Sequence, residues 1–228
     1  MSYRAVILDL FGTLAERFPV PAYRETLAWM ANMLLVPPDR FLNEWNACYA
    51  DQERGVFPGV SDTINSVCAQ LGARPSSRQI AAAEESLFDF IRCICRPRPD
   101  ALDTLAEVRS RSIKIGLISN CPPEVPLVWP HSPFAHLVDS AVFSCAVKIR
   151  KPDAEIYRLA ASVLRTPISD CLFVGDGGAY ELSGAQRAGM EPVLLSVPGE
   201  EDPYNLSPEA PGWAGAKLRS ISELLGFI

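Results

Sequence analysis

An aspartate stands at the end of the first apolar segment of this chain. The segment AVILDLF, which begins at Ala5, places Asp9 directly after three large aliphatic residues. Burying a carboxylate among such side chains costs on the order of several kcal/mol unless a cation or hydrogen-bond donors compensate its charge. We therefore expect a compensating partner for Asp9 elsewhere in the sequence.

Three later apolar segments also lead into residues that could take part in chemistry. KIGLIS ends in Ser119, which Asn120 follows, and SAVFSC is followed by Lys151. CLFVGD ends in Asp176, and Glu181 comes shortly after it. If these segments are parallel strands, their carboxyl ends lie along one edge of a sheet, where ligands of such folds bind. We expect the hydroxyl, the ammonium and the carboxylates to converge there.

This set of side chains suits a bound phosphate and a metal ion. Clustered carboxylates repel one another and therefore indicate a cation, and Asp9, Asp176 and Glu181 offer hard oxygen ligands that suit Mg²⁺. The Lys151 ammonium and the Ser119 hydroxyl suit phosphate oxygens. A carboxylate can act as the nucleophile when a metal ion and a lysine hold phosphorus in line with it.

The backbone after Asp9 adds to the anion site. The stretch LFGT provides consecutive amide groups, and Gly12 permits the backbone conformation of an anion-binding nest.

The apolar segments predict the fold. Five of them lack the polar alternation of a one-sided sheet, as strands buried on both faces should, and they cover residues 5–9, 114–119, 140–145, 171–176 and 192–197. Helical patterns lie between them, at 99–111 and 151–165. Strands that alternate with helices predict an α/β fold with a doubly wound parallel sheet and a Rossmann-like core.

One stretch interrupts this alternation. Residues 16–95 show helical patterns and no convincing strand; the patterns run near 21–35, 38–53, 60–72 and 76–94. We predict a small all-helical cap, 16–95, inserted after the first strand into a core of 1–15 and 96–228, and a last short helix at 218–226. A cap at this position would cover the ligand site.

The composition limits the class of partner. The net charge of −6 argues against broad nucleic-acid binding and gives no polybasic patch for a membrane. We see no secretory signal, and the seven cysteines lack the paired spacing of a zinc site, so we expect a cytoplasmic protein. The expected partner is a small phosphorylated substrate. The oligomeric state stays open.

Four motifs in order resemble those of the haloacid dehalogenase-like hydrolases. ILDLFGTL looks like the family's first motif, GLISN like its second, Lys151 in RKPDAEIY like its third, and FVGDGGAYELSGAQRAGM like its fourth. The helical insert after the first motif is similar to the small cap of that family. The resemblance implies a hydrolase, and a Mg²⁺-dependent phosphatase above the alternatives.

The resemblance also implies a role for each matching residue. Asp9 would be the nucleophile and a metal ligand, and Phe11 would lend only its backbone carbonyl to the metal. Thr13 and Ser119 would hold the nucleophile and a phosphoryl oxygen, and Lys151 would balance the charge. The expected site residues are, for catalysis, Asp9, Thr13, Ser119 and Lys151; for substrate binding, Gly12, Ser119, Asn120 and Lys151; and for Mg²⁺, Asp9, Phe11, Asp176 and Glu181.

Two positions depart from the family's phosphatase pattern. Those enzymes usually carry a second aspartate two residues after the nucleophile, as general acid and base, and this chain has Phe11 there. A positioned acid–base group contributes roughly 10²–10⁴-fold to a rate. Either another group replaces it, or the substrate has a good leaving group such as an acyl phosphate, or turnover is slow. At the second position Glu181 stands where an aspartate is usual, and its extra methylene favours a water-mediated metal contact.

With an aromatic residue at position 11, the chain also resembles the metal-independent 2-haloacid dehalogenases. In those enzymes the aspartate attacks carbon of a small halogenated substrate. Those enzymes have a polar residue in place of Asp176 and use a cap arginine to hold the substrate carboxylate. Asn46 lies near that place in the sequence, and Arg40 leaves the point open. The phosphonoacetaldehyde hydrolases need a cap lysine, and residues 16–94 contain none. A third alternative is a catalytically weak regulatory protein that binds phosphate or metal.

Overall fold

The computed structural model describes residues 3–228 and contains a six-stranded, all-parallel sheet. Its strands are β1 Ala5–Leu8, β2 Lys114–Ser119, β3 Ser140–Phe143, β4 Cys171–Gly175, β5 Glu191–Leu195 and β6 Lys217–Leu218. The order across the sheet is β3-β2-β1-β4-β5-β6, so β1 lies between β2 and β4. The predicted fold class is confirmed, and the ends of β1, β2 and β4 are neighbours.

The sheet is covered on both faces, which explains the uninterrupted apolar strands. In β1, Val6 and Leu8 belong to one buried cluster, whereas Ala5 and Ile7 belong to another. Successive side chains of a strand point to opposite faces, so both faces of β1 are buried. Helices of the core supply the covering layers, and these are α6 Ala101–Ser110, α7 Glu124–Val128, α8 Ser144–Val147, α9 Ala154–Val163 and α10 Glu181–Ala188.

Five helices lie between β1 and α6: α1 Val20–Met33, α2 Pro38–Ala47, α3 Tyr49–Glu53, α4 Val60–Gln70 and α5 Ser77–Ile94. They bury an apolar cluster of their own, in which the Trp45 indole donates a hydrogen bond of 2.8 Å to the Tyr23 hydroxyl. Ala15 forms an antiparallel bridge with Pro97, where the chain enters and leaves this helical unit. The division into a core and a cap at 16–95 stays a prediction.

Two predicted elements differ from the structure. The helix expected at 218–226 is instead β6 followed by a 3₁₀ helix, Ile221–Gly226. Leu218 pairs with β5 and accepts a hydrogen bond from the backbone of Ser196, a long-range contact that local periodicity does not reveal. The helix expected at 38–53 is two helices that meet at Cys48.

No helix within residues 3–228 is both long and apolar enough to cross a bilayer.

The packing of α10 against the loop that carries Lys151 leaves no room for a side chain at Gly184. A Cβ there would lie 2.6 Å from the Tyr157 hydroxyl and 2.9 Å from the Pro152 carbonyl oxygen. We expect Gly184→Ala to lower the free energy of unfolding by about 1–3 kcal/mol, because overpacking moves the backbone. Urea unfolding measures the change. The control is Gly226→Ala, whose Cβ would meet no atom within 4 Å, and equal midpoints for the two variants would contradict this account.

Candidate active site

A cavity of about 360 Å³ opens at the carboxyl ends of β1, β2 and β4, beneath the helices of the insert. The sequence-predicted residues that line it are Asp9, Phe11, Ser119, Asn120, Lys151, Asp176 and Glu181. Residues 20–53 contribute Val20, Tyr23, Asn46, Tyr49 and Glu53. The expected convergence of side chains at this sheet edge is therefore present. Gly12 and Thr13 do not line the cavity.

Lys151 is the partner that compensates Asp9. Its ammonium donates hydrogen bonds to Oδ1 of Asp9 and to Oε2 of Glu181. Lys151 is only 2% exposed. Burial lowers the pKa of Lys151, but the two carboxylates outweigh that effect and raise it above its ordinary value. The lysine is therefore held charged between two acids.

Three carboxylates converge around this lysine. One oxygen from each of Asp9, Asp176 and Glu181 lies within 4.8 Å of the others. Burial raises the pKa of Asp176, and the negative charge of Asp9 raises it further. Burial also raises the pKa of Glu181, although Lys151 opposes that shift. A single ammonium leaves this cluster with excess negative charge, which a divalent cation would neutralise.

The three acids differ in how free they are to bind a metal. Oδ2 of Asp9 has no hydrogen-bond partner among residues 3–228, whereas Oδ1 is bonded to Lys151. Both oxygens of Glu181 have donors, since Oε1 accepts from the Gly177 amide at 3.1 Å and Oε2 from Lys151. Oδ2 of Asp9 is therefore the one oxygen of the three carboxylates that no donor within residues 3–228 occupies.

Asp176 is oriented by a residue that the sequence did not suggest. Its Oδ2 accepts a hydrogen bond of 2.6 Å from the Ser207 hydroxyl, and its Oδ1 accepts one of 3.0 Å from the Gly178 amide. Ser207 is 2% exposed and lies in the turn-rich segment after β5. Nothing in the local sequence around Ser207 signals this contact.

Arg98 holds the loop after Asp9 through hydrogen bonds to its backbone. Its guanidinium donates to the carbonyl oxygens of Gly12, at 2.7 Å, and Thr13, at 2.9 Å. Gly12 has φ +87°, and a Cβ there would collide with the carboxylate of Asp176. The glycine is needed for the turn and for the approach of Asp176. Thr13 is fully buried, and its hydroxyl has no hydrogen-bond partner among the described residues.

The Asn120 side chain links the GLISN motif to the backbone of Lys151 through two hydrogen bonds. Its amide nitrogen donates to the Lys151 carbonyl oxygen at 2.9 Å, and its amide oxygen accepts from the Lys151 backbone nitrogen at 2.8 Å. This pair fixes the backbone that carries the ammonium. A direct contact of Asn120 with substrate stays a prediction, as does the phosphoryl contact of Ser119.

The Phe11 side chain turns towards the insert. Its ring packs edge to face against Phe18, with 5.8 Å between the ring centroids, and Phe18 packs in the same way against Tyr23. Asn46 lines the cavity, whereas Arg40 does not. Arg17 is a cation that does line it, and its guanidinium lies 3.2 Å from a carboxylate oxygen of Asp202.

A smaller cavity of about 30 Å³ adjoins the first behind Phe11. One of its lining residues is Glu124, the first residue of α7, which is 1% exposed. Neither carboxylate oxygen of Glu124 has a hydrogen-bond partner within residues 3–228. Burial raises the pKa of Glu124 to about 7. Glu124 belongs to none of the four motifs, although the Pro-Pro-Glu stretch directly after GLISNC marks it as a helix start.

A family model for haloacid dehalogenase-like hydrolases matches residues 3–189. The chain belongs to the haloacid dehalogenase-like hydrolases. The match includes Asp9, Ser119, Lys151 and Asp176, so the resemblance of the four motifs is confirmed at the level of the family.

Individual relatives in this family differ in the bond that they cleave. The chain is 23% identical to an (S)-2-haloacid dehalogenase of Pseudomonas sp. strain YL, over 97% of this chain and 94% of that protein. It is 26% identical to a phosphatase of Mycobacterium tuberculosis, over 88% of this chain and 90% of that protein.

A solved structure of a family enzyme from Bacteroides thetaiotaomicron, an alanine mutant in complex with magnesium and inorganic phosphate, matches with a TM-score of 0.67 at 17% identity. The alignment covers 90% of this chain and 99% of that one. This likeness shows the fold. Together the comparisons establish a family hydrolase, and the relatives include both dehalogenases and phosphatases.

The unpaired acid of the inner cavity predicts a pH-dependent stability. The pKa of Glu124 is raised from 4.5 to about 7, so the unfolded chain loses this proton first as the pH rises. The stability present below pH 4.5 is therefore lost as the pH rises through about 7. Since one pKa unit corresponds to about 1.4 kcal/mol, the loss is on the order of 3 kcal/mol.

Glu124→Gln removes this loss. We expect its free energy of unfolding, relative to wild type, to rise by that amount between about pH 4 and about pH 8. Urea unfolding at the two pH values measures it. The control Glu155→Gln changes an exposed acid of α9, and a Glu124→Gln effect that is the same at both pH values would contradict the assignment.

Proposed function

We propose that this family member is a Mg²⁺-dependent hydrolase of phosphate monoesters or acyl phosphates, acting through an aspartyl-phosphate on Asp9. The observation that carries the proposal is the acidic cluster, in which oxygens of Asp9, Asp176 and Glu181 lie within 4.8 Å of one another. Attack on carbon without a metal does not need Asp176 or Glu181, whose added charge would only raise the cost of burial. A phosphatase that binds Mg²⁺ needs this negative charge, because the charge holds the ion.

The donor set fits Mg²⁺. Asp9, Asp176 and the backbone carbonyl of Phe11 would hold the ion. Glu181 would reach it through water, because Glu181 already binds the positively charged Lys151, whereas the donors to Asp176 are a neutral hydroxyl and a neutral amide. When bound, the ion supplies positive charge to the phosphoryl oxygens.

The side chains of the chain itself account for the first chemical step. Lys151 binds Oδ1 of Asp9, which leaves Oδ2 to attack phosphorus. A bond forms between Oδ2 and phosphorus as the bond to the leaving oxygen breaks. Ser119 and Lys151 would donate to the phosphoryl oxygens, and the Asn120 contact holds the Lys151 backbone during this step. Water then attacks phosphorus as the bond from phosphorus to Oδ2 breaks. The carboxylate is restored, and the proton of the water leaves with inorganic phosphate or passes to the solvent.

Phe11 sets the class of leaving group. Its side chain cannot protonate the departing oxygen, so the proposal favours substrates whose leaving group needs no proton, such as acyl phosphates. The proposed partner is thus a small phosphorylated molecule, and the proposed location is the cytoplasm.

A second candidate is a metal-independent 2-haloacid dehalogenase with Asp9 attacking carbon. Two observations favour it. The first is the 23% identity with the Pseudomonas dehalogenase over 97% of this chain. The second is Arg17, a guanidinium in the cavity that could hold a substrate carboxylate. A catalytically weak phosphate-binding or metal-binding regulatory protein is the non-enzymatic alternative, supported by Phe11.

The assay that separates these readings uses acetyl phosphate, p-nitrophenyl phosphate and 2-chloropropionate, each with Mg²⁺ and with EDTA. We expect hydrolysis of both phosphates that EDTA abolishes and that Asp9→Asn lowers at least about 10²-fold, because the nucleophile is lost. Asp62→Asn, at an exposed position of α4, should keep wild-type rates. Halide release that survives EDTA would instead support the dehalogenase, and tight phosphate binding with no turnover would support the regulatory protein.

A second prediction tests the role of position 11. Phe11→Asp introduces a carboxyl group that can donate a proton, so we expect the rate for an alkyl phosphate to rise about tenfold or more relative to acetyl phosphate. The comparison is kcat/KM for ethyl phosphate, p-nitrophenyl phosphate and acetyl phosphate. Phe11→Leu, which adds no acid, is the matched control. An equal change for all three substrates would show that the missing acid does not limit the rate.

A further inference from the structure

The inner cavity behind Phe11 borders the catalytic cavity. The two share five lining residues, Phe11, Phe18, Tyr23, Tyr49 and Asn120. The inner cavity adds Ile91 of α5 and Glu124 of α7, so it lies where the insert meets the core. A substrate bound at Asp9 could therefore extend one end into this space.

The single acidic group of the inner cavity has no partner. Both Glu124 oxygens lack hydrogen bonds within residues 3–228, and Glu124 takes part in no ion pair there. Burial raises the pKa of Tyr23, and the nearby charge of Glu124 raises it further. Burial also raises the pKa of Tyr49, and the charge of Glu53 and, to a smaller extent, that of Glu124 raise it further. Burying an acid without hydrogen-bond donors costs free energy. A ligand that brings a donor to Glu124 would therefore be stabilised in this cavity.

The other lining groups favour a positive donor. Four aromatic residues surround the space, namely Phe11, Phe18, Tyr23 and Tyr49. The faces of aromatic rings attract cations, and the Glu124 carboxylate adds a negative charge when it is ionised. An anion would be repelled, and a purely apolar group would leave Glu124 unpaired.

The size of the cavity limits the cation. Its volume of about 30 Å³ exceeds the roughly 10–15 Å³ needed for one water. A primary ammonium is about as large as a water molecule and fits, whereas a trimethylammonium group would require the walls to move.

We propose that this inner cavity is a subsite for the primary ammonium end of a phosphorylated substrate, with Glu124 as its counter-ion and Phe11 as part of its aromatic wall. The inference rests on the proposed phosphate chemistry at Asp9 and names its substrate class, aminoalkyl phosphates. It also gives Phe11 a binding role, as part of the wall that would face the ammonium.

Direct binding tests the subsite without turnover. In the Asp9→Asn background with Mg²⁺, calorimetry would compare ω-aminoalkyl phosphates of two to five carbons with alkyl and ω-hydroxyalkyl phosphates of equal length. We expect one aminoalkyl phosphate to bind at least tenfold more tightly than both of its counterparts. Adding Glu124→Gln should remove that preference, and adding Glu155→Gln should leave it unchanged.

The outcomes separate this inference from the proposed function. If all phosphates bind but the amine gives no preference, or if Glu124→Gln keeps the preference, the subsite is wrong and the phosphate chemistry stands. Equal preference for the hydroxyl compound would also overturn it, because Glu124 would then recognise a neutral donor. If no phosphate binds at all, the proposed function fails and the subsite fails with it.

Discussion

The rest of the site depends on the contact of the buried Lys151 ammonium with two carboxylates. The ammonium binds Asp9 and Glu181 at once, and without it the two buried carboxylates would face each other with no cation between them. Three separate elements must therefore keep their relative positions: the end of β1, the loop before α9 and the first turn of α10. The parallel sheet supplies this arrangement, because β1 and β4 are direct neighbours.

A second layer of contacts holds those three elements in place. Asn120 pairs with the backbone of Lys151 through both halves of its amide. Arg98 binds the carbonyl groups behind the nucleophile, and Ser207 orients Asp176. Each of these contacts joins residues that are far apart in sequence, so the geometry of the acids is a property of the whole core. Preorganisation of this kind lowers the reorganisation needed when phosphate charge arrives.

Much of the fold followed from local patterns. The five apolar strands and the amphipathic helices of the insert were predicted within a few residues, because burial on two faces or on one leaves a distinct periodicity. The last strand was missed, since Lys217–Leu218 is a pair of residues that becomes a strand only through hydrogen bonds to β5. Among the site residues, Asp9, Ser119, Lys151 and Asp176 could be found because each follows an apolar segment. Ser207 and Glu124 were missed, because what distinguishes them is the presence or absence of hydrogen-bond partners in space.

The sequence by itself determined the class of chemistry. It provides a nucleophile at a strand end, acids that suit a cation and a lysine, and it has Phe11 where the family's phosphatases usually carry an acid. These follow from residue type and order along the chain. Only the tertiary structure decided which groups are already paired and which are not. Glu181 turned out to be bonded to Lys151, and Glu124 turned out to be buried without a donor. The physical reason is that hydrogen-bond satisfaction and desolvation depend on neighbours in space, and a linear sequence does not specify them.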